Sequence, residues 1–159
     1  MIFVVLGTHE LPFHRLLNEI EHLKQQAFIK EEVIVQHGHT PCNSKYFSLK
    51  KFVSYEEMDA FYDKARIVIT HAGTGSVVTA LRKGKKVIAV PRLKEYGEHN
   101  DNHQLEIVAQ FLKQGYILTW KDGEQLAAVL KQAEDFKPQP FQSGKKTIFQ
   151  LIQRFIEEA

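Results

Sequence analysis

Two short runs of small residues follow apolar runs in this chain. Gly7-Thr8 follows Ile2 to Leu6, and His71-Ala72-Gly73-Thr74-Gly75-Ser76 follows Ile67 to Thr70. Each run leads into a segment with helical spacing. Small residues let a backbone come close to an anion, and the first N–H groups of a helix have no partner within the helix. Thr8, Thr74 and Ser76 add hydroxyl donors. These residue types in these places suit a diphosphate. The same glycines also serve tight strand-to-helix turns, with Ser76 as a helix cap, and the residues alone leave both readings open. The second run lacks the Gly-Lys-Ser/Thr ending of a P-loop and the third glycine of the dinucleotide fingerprint.

A second constellation spans Pro91 to Gln104 and holds Arg92, His99, Asn102, His103 and Gln104. These side chains suit sugar hydroxyls and phosphates. An isolated charged stretch is ordinarily a solvated loop, but this one follows the next strand and so is expected beside the glycine run. His99 and His103 stand four apart and would share a helix face, as zinc-binding pairs do, with Glu98 or Asp101 as an oxygen ligand. No third ligand is fixed by the sequence, so no metal is expected. His9, His14, His22, His37 and His39 have no spacing that singles them out, and no Gly-x-Ser-x-Gly elbow is present.

The elements that must position these residues alternate along the chain. Ile2 to Leu6, Val33 to Val35, Ile67 to Thr70, Lys86 to Val90 and Tyr116 to Thr119 read as strands, with a short extended piece around Lys50 to Val53. Leu16, Leu17, Ile20 and Leu23 recur at helical spacing after Pro12. Ser54 with Glu57 forms a capping box ahead of Met58, Phe61, Tyr62 and Ala65. A helix follows the glycine run as far as Lys83, and another runs from about Asp101 to Lys113. The stretch from His37 to Ser48 reads as a loop. Strands alternating with helices predict βαβ units, hence an α/β, Rossmann-like single domain over 1–159 with a mainly parallel sheet. Residues 137–146 are linker-like. Beyond them Ile148, Leu151, Ile152, Phe155 and Ile156 mark an amphipathic helix that either packs back on the domain or docks on a partner.

Composition narrows the function classes. At 159 residues the chain is long enough to close one core, and a net charge of +2 argues against a dedicated nucleic-acid binder. The single cysteine, Cys42, excludes an internal disulfide. No apolar run approaches a bilayer span, and the N-terminal apolar run reads as a strand, so a cytoplasmic protein is expected.

Several ordered motifs together resemble the C-terminal, donor-binding half of family-28-type GT-B glycosyltransferases, especially stand-alone versions of that half. They are Val5-Leu6-Gly7-Thr8, Phe52 to Met58, Thr70 to Ser76, Gly84 to Arg92, Tyr96-Gly97-Glu98-His99 and Asp101-Asn102-His103-Gln104. The resemblance covers nearly the whole chain. The Tyr96 to His99 stretch is similar to the bacterial capsule and exopolysaccharide subgroup.

The resemblance implies roles for these positions. Gly7, Thr8, Gly73, Thr74, Gly75 and Ser76 would hold the diphosphate of a UDP-sugar, and His71 is counted among the substrate-binding residues. The backbone at Val53 would meet the uracil, and Asn102, His103 and Gln104 would face the donor sugar. Thr79 stands where many relatives have a glutamate for the ribose. The implied partner is a membrane-associated subunit bringing a lipid-linked saccharide acceptor and the general base, which would hold this protein at the inner face of the membrane. An inverting transfer without metal is expected. A non-catalytic accessory subunit and a general nucleotide-binding regulatory protein are the alternatives.

Overall fold

The computed structural model describes residues 1–142 and 152–154. Six strands form one sheet: β1 (Ile2–Val5), β2 (Val33–Gln36), β3 (Ser48–Lys50), β4 (Ile67–Thr70), β5 (Lys86–Ala89) and β6 (Leu118–Thr119). Their order is β3-β2-β1-β4-β5-β6, and every neighbouring pair is parallel. Among the described residues four α-helices run between strands, α1 (His14–Gln25), α2 (Tyr55–Lys64), α3 (Thr74–Arg82) and α4 (His103–Lys113), and α5 (Leu126–Asp135) follows β6.

The central strands are apolar throughout because both faces are covered. Ile2, Val4 and Leu6 point into a core shared with Leu16 and Ile20 of α1 and Leu126 and Leu130 of α5. Phe3 and Val5 point the other way, toward Tyr62 of α2, Val77 and Ala80 of α3, and Val108 and Phe111 of α4. Burying each of these larger side chains contributes roughly 1.5–3 kcal/mol before the entropy of ordering is charged against it. The capping box at the start of α2 is formed, with Ser54 Oγ accepting from Glu57 N and the Glu57 carboxylate accepting from Ser54 N.

Four elements differ from the sequence expectation, the simplest being β6, which begins at Leu118 and not at Tyr116. The edge strand β3 lies two residues earlier than the extended piece expected at Lys50 to Val53, because Ser48 pairs with Ile34 and Leu49 with Val35. A single 3-10 turn at Lys94–Tyr96 occupies the polar loop after β5. Helix α4 begins at His103, not at Asp101, since Asp101 Oδ1 accepts from His103 N and so caps the helix from outside.

Of the linker-like stretch, Phe141 packs edge-on against Tyr116 at 5.2 Å and Gln139 N donates to Gly115 O. Residues 143–146 of that stretch, and Ile148, Leu151, Phe155 and Ile156 of the expected C-terminal helix, lie outside the described residues.

The chain leaves β1 outward through β2 and β3, then returns to the other side of β1 as β4. The strand order therefore reverses between β1 and β4. Loops at the carboxyl ends of those two strands diverge, and a crevice opens there.

Candidate functional site

Gly7 ends β1 with φ of 72°, the left-handed region that a residue with a Cβ seldom adopts. Its peptide is held on both sides by one side chain. Gln36, at the end of β2 and 2% exposed, accepts from Gly7 N at 3.1 Å through Oε1. Its Nε2 donates to Gly7 O and to Lys51 O, each at 3.1 Å. Gln36 thereby fixes the first glycine turn against β2 and the segment leading to Val53. Val53 itself is half-buried just before α2.

His71 follows β4 directly across the crevice. Its backbone N donates to Val5 O, and its ring Nδ1 lies 3.1 Å from the same carbonyl. A carbonyl can only accept, so Nδ1 carries the proton and Nε2 is left as a bare acceptor. Burial, resisted by the Val5 hydrogen bond, pushes the imidazole down to about 4, so the ring is neutral at physiological pH. It sits between the two glycine turns. A Cβ on Gly7 would lie 2.6 Å from its Cε1, and one on Gly73 would collide with Nε2. These two glycines are therefore required by the histidine ring.

Ala72, fully buried, has φ of 64°, which costs on the order of 1 kcal/mol for a residue with a Cβ. This strained residue delivers the chain into α3. Gly73 is the cap of α3, in extended conformation, and among the described residues no side chain caps the helix. Ser76, expected as a possible cap, lies inside the first turn. The first helical bond is Val77 N to Gly73 O, so the N–H groups of Thr74, Gly75 and Ser76 have no acceptor among the described residues. Gly75 differs from its neighbours: it is exposed, and a Cβ there would meet nothing within 4 Å. Neither packing nor backbone geometry asks for glycine at that position. Thr79, one turn on, donates its hydroxyl to Gly75 O at 2.8 Å.

The third wall comes from the loop after β5, and its organisation departs from the sequence reading. Arg92 is 1% exposed. Its Nη2 donates to Leu6 O, and its Nη1 to Leu11 O and Glu98 O. The guanidinium stacks 4.8 Å from the Phe13 ring, and its Nε has no hydrogen-bond partner among the described residues. Burial, opposed by the Glu98 carboxylate, lowers its pKa to about 10, and it remains a cation. Arg92 thus stands behind the crevice and braces the first glycine turn, where the sequence suggested a side chain reaching for sugar or phosphate.

Glu98, 3% exposed, takes a two-pronged bond from Arg15 of α1, with both contacts at 2.9 Å, and a third from Leu93 N. Arg15 also donates to Pro91 O and lies over the rings of Phe13, Tyr96 and Trp120.

Around this knot the remaining candidates take their places. Gln104 Oε1 accepts from Arg92 N at 2.9 Å. Asn102 is turned toward the 3-10 turn, accepting from Lys94 N and donating to Glu95 Oε1. His103 starts α4 with its side chain 54% exposed. His99 lies in the loop ahead of α4, so the pair His99 and His103 does not share a helix face. Among the described residues, no three His, Cys, Asp or Glu side chains are grouped as a metal site. His99 instead stacks on His9, with ring centroids 4.5 Å apart.

The sequence reading did not give these roles to four residues of the arrangement, His9, Gln36, Arg15 and Glu98, of which it set His9 aside and weighed Glu98 only as a metal ligand. His9 had one signal, its place two residues after Gly7. Gln36 had another, being the polar end of an otherwise apolar strand. Arg15 and Glu98 are 83 residues apart and nothing local pairs them.

The arrangement can hold an anion. Free helix amides, an open glycine and the positive end of the α3 dipole meet at the β1–β4 crevice, with Arg92 behind it.

Sequence comparison matches residues 1–158 to the glycosyltransferase family 28 C-terminal domain. The UDP-N-acetylglucosamine transferase subunit ALG13 of Yarrowia lipolytica is 28% identical over 171 residues, covering 99% of this chain and 84% of the relative. The fold is similar to the NMR solution structure of ALG13, with a TM-score of 0.60 at 20% identity, covering 94% of this chain and 93% of that one. It is also similar to Acinetobacter baumannii MurG, with a TM-score of 0.55 at 18% identity, covering 82% of this chain and 39% of that one.

Proposed function

The chain belongs to the glycosyltransferase family 28 C-terminal domain family, and from that premise we propose that it is the donor-binding subunit of a two-component inverting glycosyltransferase. It is a glycosyltransferase domain, with the α/β architecture of the C-terminal half of a GT-B enzyme. The donor is a UDP-sugar. The partner is a membrane-associated subunit that brings a lipid-linked saccharide acceptor and the general base. The Tyr96 to His99 stretch supports capsular or exopolysaccharide synthesis as the setting, with the protein at the inner face of the membrane. The name of the Yarrowia relative, a transferase subunit, supports the division into two chains.

The observation that carries this reading is the uncapped first turn of α3 beside a glycine that nothing in the fold requires. In the proposed reaction the acceptor oxygen attacks the anomeric carbon as its bond to the diphosphate oxygen breaks. The departing UDP gains negative charge, and the amides of Thr74, Gly75 and Ser76 are already aimed where that charge develops. The α3 dipole acts in the same sense, so the leaving group is stabilised without a metal ion. Gln104 and His103 lie on the neighbouring wall, where the donor sugar is expected.

Calorimetric titration of the purified chain with UDP, UDP-N-acetylglucosamine, UDP-galactose, UDP-glucuronic acid and ADP, without added metal, tests the proposal. Uridine ligands are expected to bind and ADP to bind at least about tenfold more weakly, a difference of about 1.4 kcal/mol. Equal binding of ADP, or no binding of any nucleotide, counts against it.

One feature favours a second reading, an accessory subunit with weak donor binding. The Thr79 hydroxyl is already engaged with Gly75 O, which leaves it only as an acceptor for a ribose hydroxyl. UDP binding too weak to measure in the chain, together with stimulation of a partner's transfer rate, would favour that reading.

A further inference from the structure

Gln36 is the polar end of the otherwise apolar strand β2, and it is buried. A buried amide is unfavourable unless its donors and its acceptor find partners. Here Oε1 accepts from Gly7 N, and Nε2 donates to Gly7 O and to Lys51 O, each at 3.1 Å. An N–H only donates and a carbonyl only accepts, so these partners fix which end of the amide is which. The strand β2 lies between β1 and β3 in the sheet. Two strands with a third between them are roughly 9–10 Å apart, beyond the reach of a backbone hydrogen bond. Among the described residues no hydrogen bond runs directly from the Gly7 turn to Lys50, Lys51, Phe52 or Val53. The Gln36 carboxamide spans that gap.

The junction around it is tight. Gly38, the second residue after β2, has φ of 57°, and a Cβ there would collide with Gly7 O. Each of the two segments also has anchors of its own. Arg92 donates to Leu6 O behind the glycine turn, and His71 N donates to Val5 O. On the other side His37 N donates to Lys50 O and Gly38 N to Lys51 O. Removing the carboxamide therefore leaves each segment attached to its own neighbours. What it frees is the spacing between them.

Under the donor-binding reading above, on which this inference rests, the diphosphate lies at the glycine turns and the base at Val53, two residues beyond Lys51. We propose that Gln36 is a positioning residue that makes these two subsites act together, holding them at the one spacing at which a single nucleotide engages both. The effect is one of preorganisation. A ligand with two linked parts exceeds the affinity of either part only where the second subsite stands within reach of the first. Uridine alone or pyrophosphate alone fills one subsite and draws nothing from that spacing.

The test is NMR-detected titration of the full chain with UDP and with its two parts, uridine and inorganic pyrophosphate. In Gln36→Leu the dissociation constant of UDP is expected to rise about tenfold, and that of each part by less than about threefold. Pyrophosphate is also expected to shift the Val53 and Ser54 amide resonances of the wild type, through the carboxamide, and to leave them unmoved in Gln36→Leu. Leu130→Ala, a core variant in α5, controls for lost stability and keeps the wild-type ratio between UDP and its parts. If Gln36→Leu does not fold, Gln36→Asn, whose amide is one methylene too short to reach both segments, carries the same expectations. UDP weakened no more than its parts, or not weakened at all, overturns the inference and leaves donor binding intact. If the wild type does not bind UDP at millimolar concentration, the donor reading falls and this inference with it.

Discussion

The imidazole of His71 occupies the space that a side chain at Gly7 would need. A Cβ on Gly7 would lie 2.6 Å from His71 Cε1 and 2.7 Å from Nε2. The two residues close the β1–β4 crevice from opposite strands, and the ring is anchored to Val5 O on the strand that Gly7 ends. The glycines of the site therefore divide into those that make room for the protein's own histidine and one, Gly75, that makes room for nothing in the fold.

That division predicts opposite outcomes for similar substitutions. Gly7→Ala and Gly73→Ala push a methyl group into the His71 ring and are expected to destabilise the fold by about 2–3 kcal/mol. Gly75→Ala removes a poor helix former at an open site and is expected to raise stability by about 0.5–1 kcal/mol. The same change is expected to weaken UDP binding about tenfold or more, because the added methyl blocks close approach to the α3 amides. Urea denaturation and nucleotide titration of the three variants check this. Undiminished UDP binding by Gly75→Ala would remove the reason given for that glycine.

Replacing Gln36 with leucine keeps the bulk but deletes three hydrogen bonds, leaving Gly7 N and Gly7 O without the partner that holds them. A loss of about 2–4 kcal/mol is expected. Gln36→Glu is expected to fare no better, since a carboxylate cannot donate to Gly7 O and Lys51 O. A stability change below about 0.5 kcal/mol for Gln36→Leu, within the range of ordinary surface substitutions, would mean that water replaces the amide.

The Arg15–Glu98 and Arg92 knot predicts a difference between breaking and replacing. Glu98→Gln leaves Arg15 without its carboxylate, while the bond from Arg92 to the Glu98 backbone carbonyl stays, and is expected to cost about 2–4 kcal/mol, somewhat less than a fully buried pair because Arg15 keeps some contact with water. Arg92→Lys preserves the charge but cannot reach Leu6, Leu11 and Glu98 together. It is expected to lower UDP affinity several-fold with the chain still folded, since the first glycine turn loses its brace. Chemical denaturation with parallel UDP titration separates the two effects. An Arg92→Lys variant indistinguishable from wild type in both would show that the brace is not needed.

His71 predicts how stability depends on acidity. Its imidazole is held down at about 4 in the fold, against an ordinary 6.5, so between those values the unfolded chain binds the extra proton. Stability is therefore at its full value above pH 6.5 and declines as pH falls toward 4, by at most about 3 kcal/mol. Glu31 contributes at lower pH. There the bonds from Arg66 and the amino terminus outweigh burial and hold the carboxyl below 4.5, so its contribution is lost only as pH falls beneath that value. His71→Asn keeps an N–H for Val5 O and is expected to flatten the upper part of this profile. An unchanged slope between pH 6.5 and 4 in that variant would assign the loss to other groups.

The sequence made the scaffold readable because its signals there are local. Unbroken apolar runs at Ile2 to Val5 of β1, Val33 to Val35 of β2 and Ile67 to Ile69 of β4 require cover on both faces, and Ser54 with Glu57 announces the start of α2 within four residues. The glycine run before α3 was legible for the same reason. The support of the site was not. A burial partner such as Leu6 for Arg92 is invisible in a string where Arg92 follows Pro91 and precedes a polar loop, and arginine in such a loop is ordinarily exposed. The edge strand β3 shifted because its position is set by pairing to β2, which no local pattern in Phe47 to Val53 encodes. The zinc-like spacing of His99 and His103 lost its meaning because α4 begins only at His103, with Asp101 capping it from outside and His99 left in the loop before it.

The bond from Arg92 to Leu6 O spans 86 residues. A growing polypeptide that has emerged only as far as α3 already contains Gly7, His71 and the glycine run, yet nothing holds the first turn from behind. Closing so long a loop follows the formation of nearer contacts, and the buried guanidinium gives up its water only when Leu11 and Glu98 are also in place. Competence to grip a nucleotide is therefore acquired late, after the sheet, and a truncated or stalled chain with much of its secondary structure would remain unable to sequester donor.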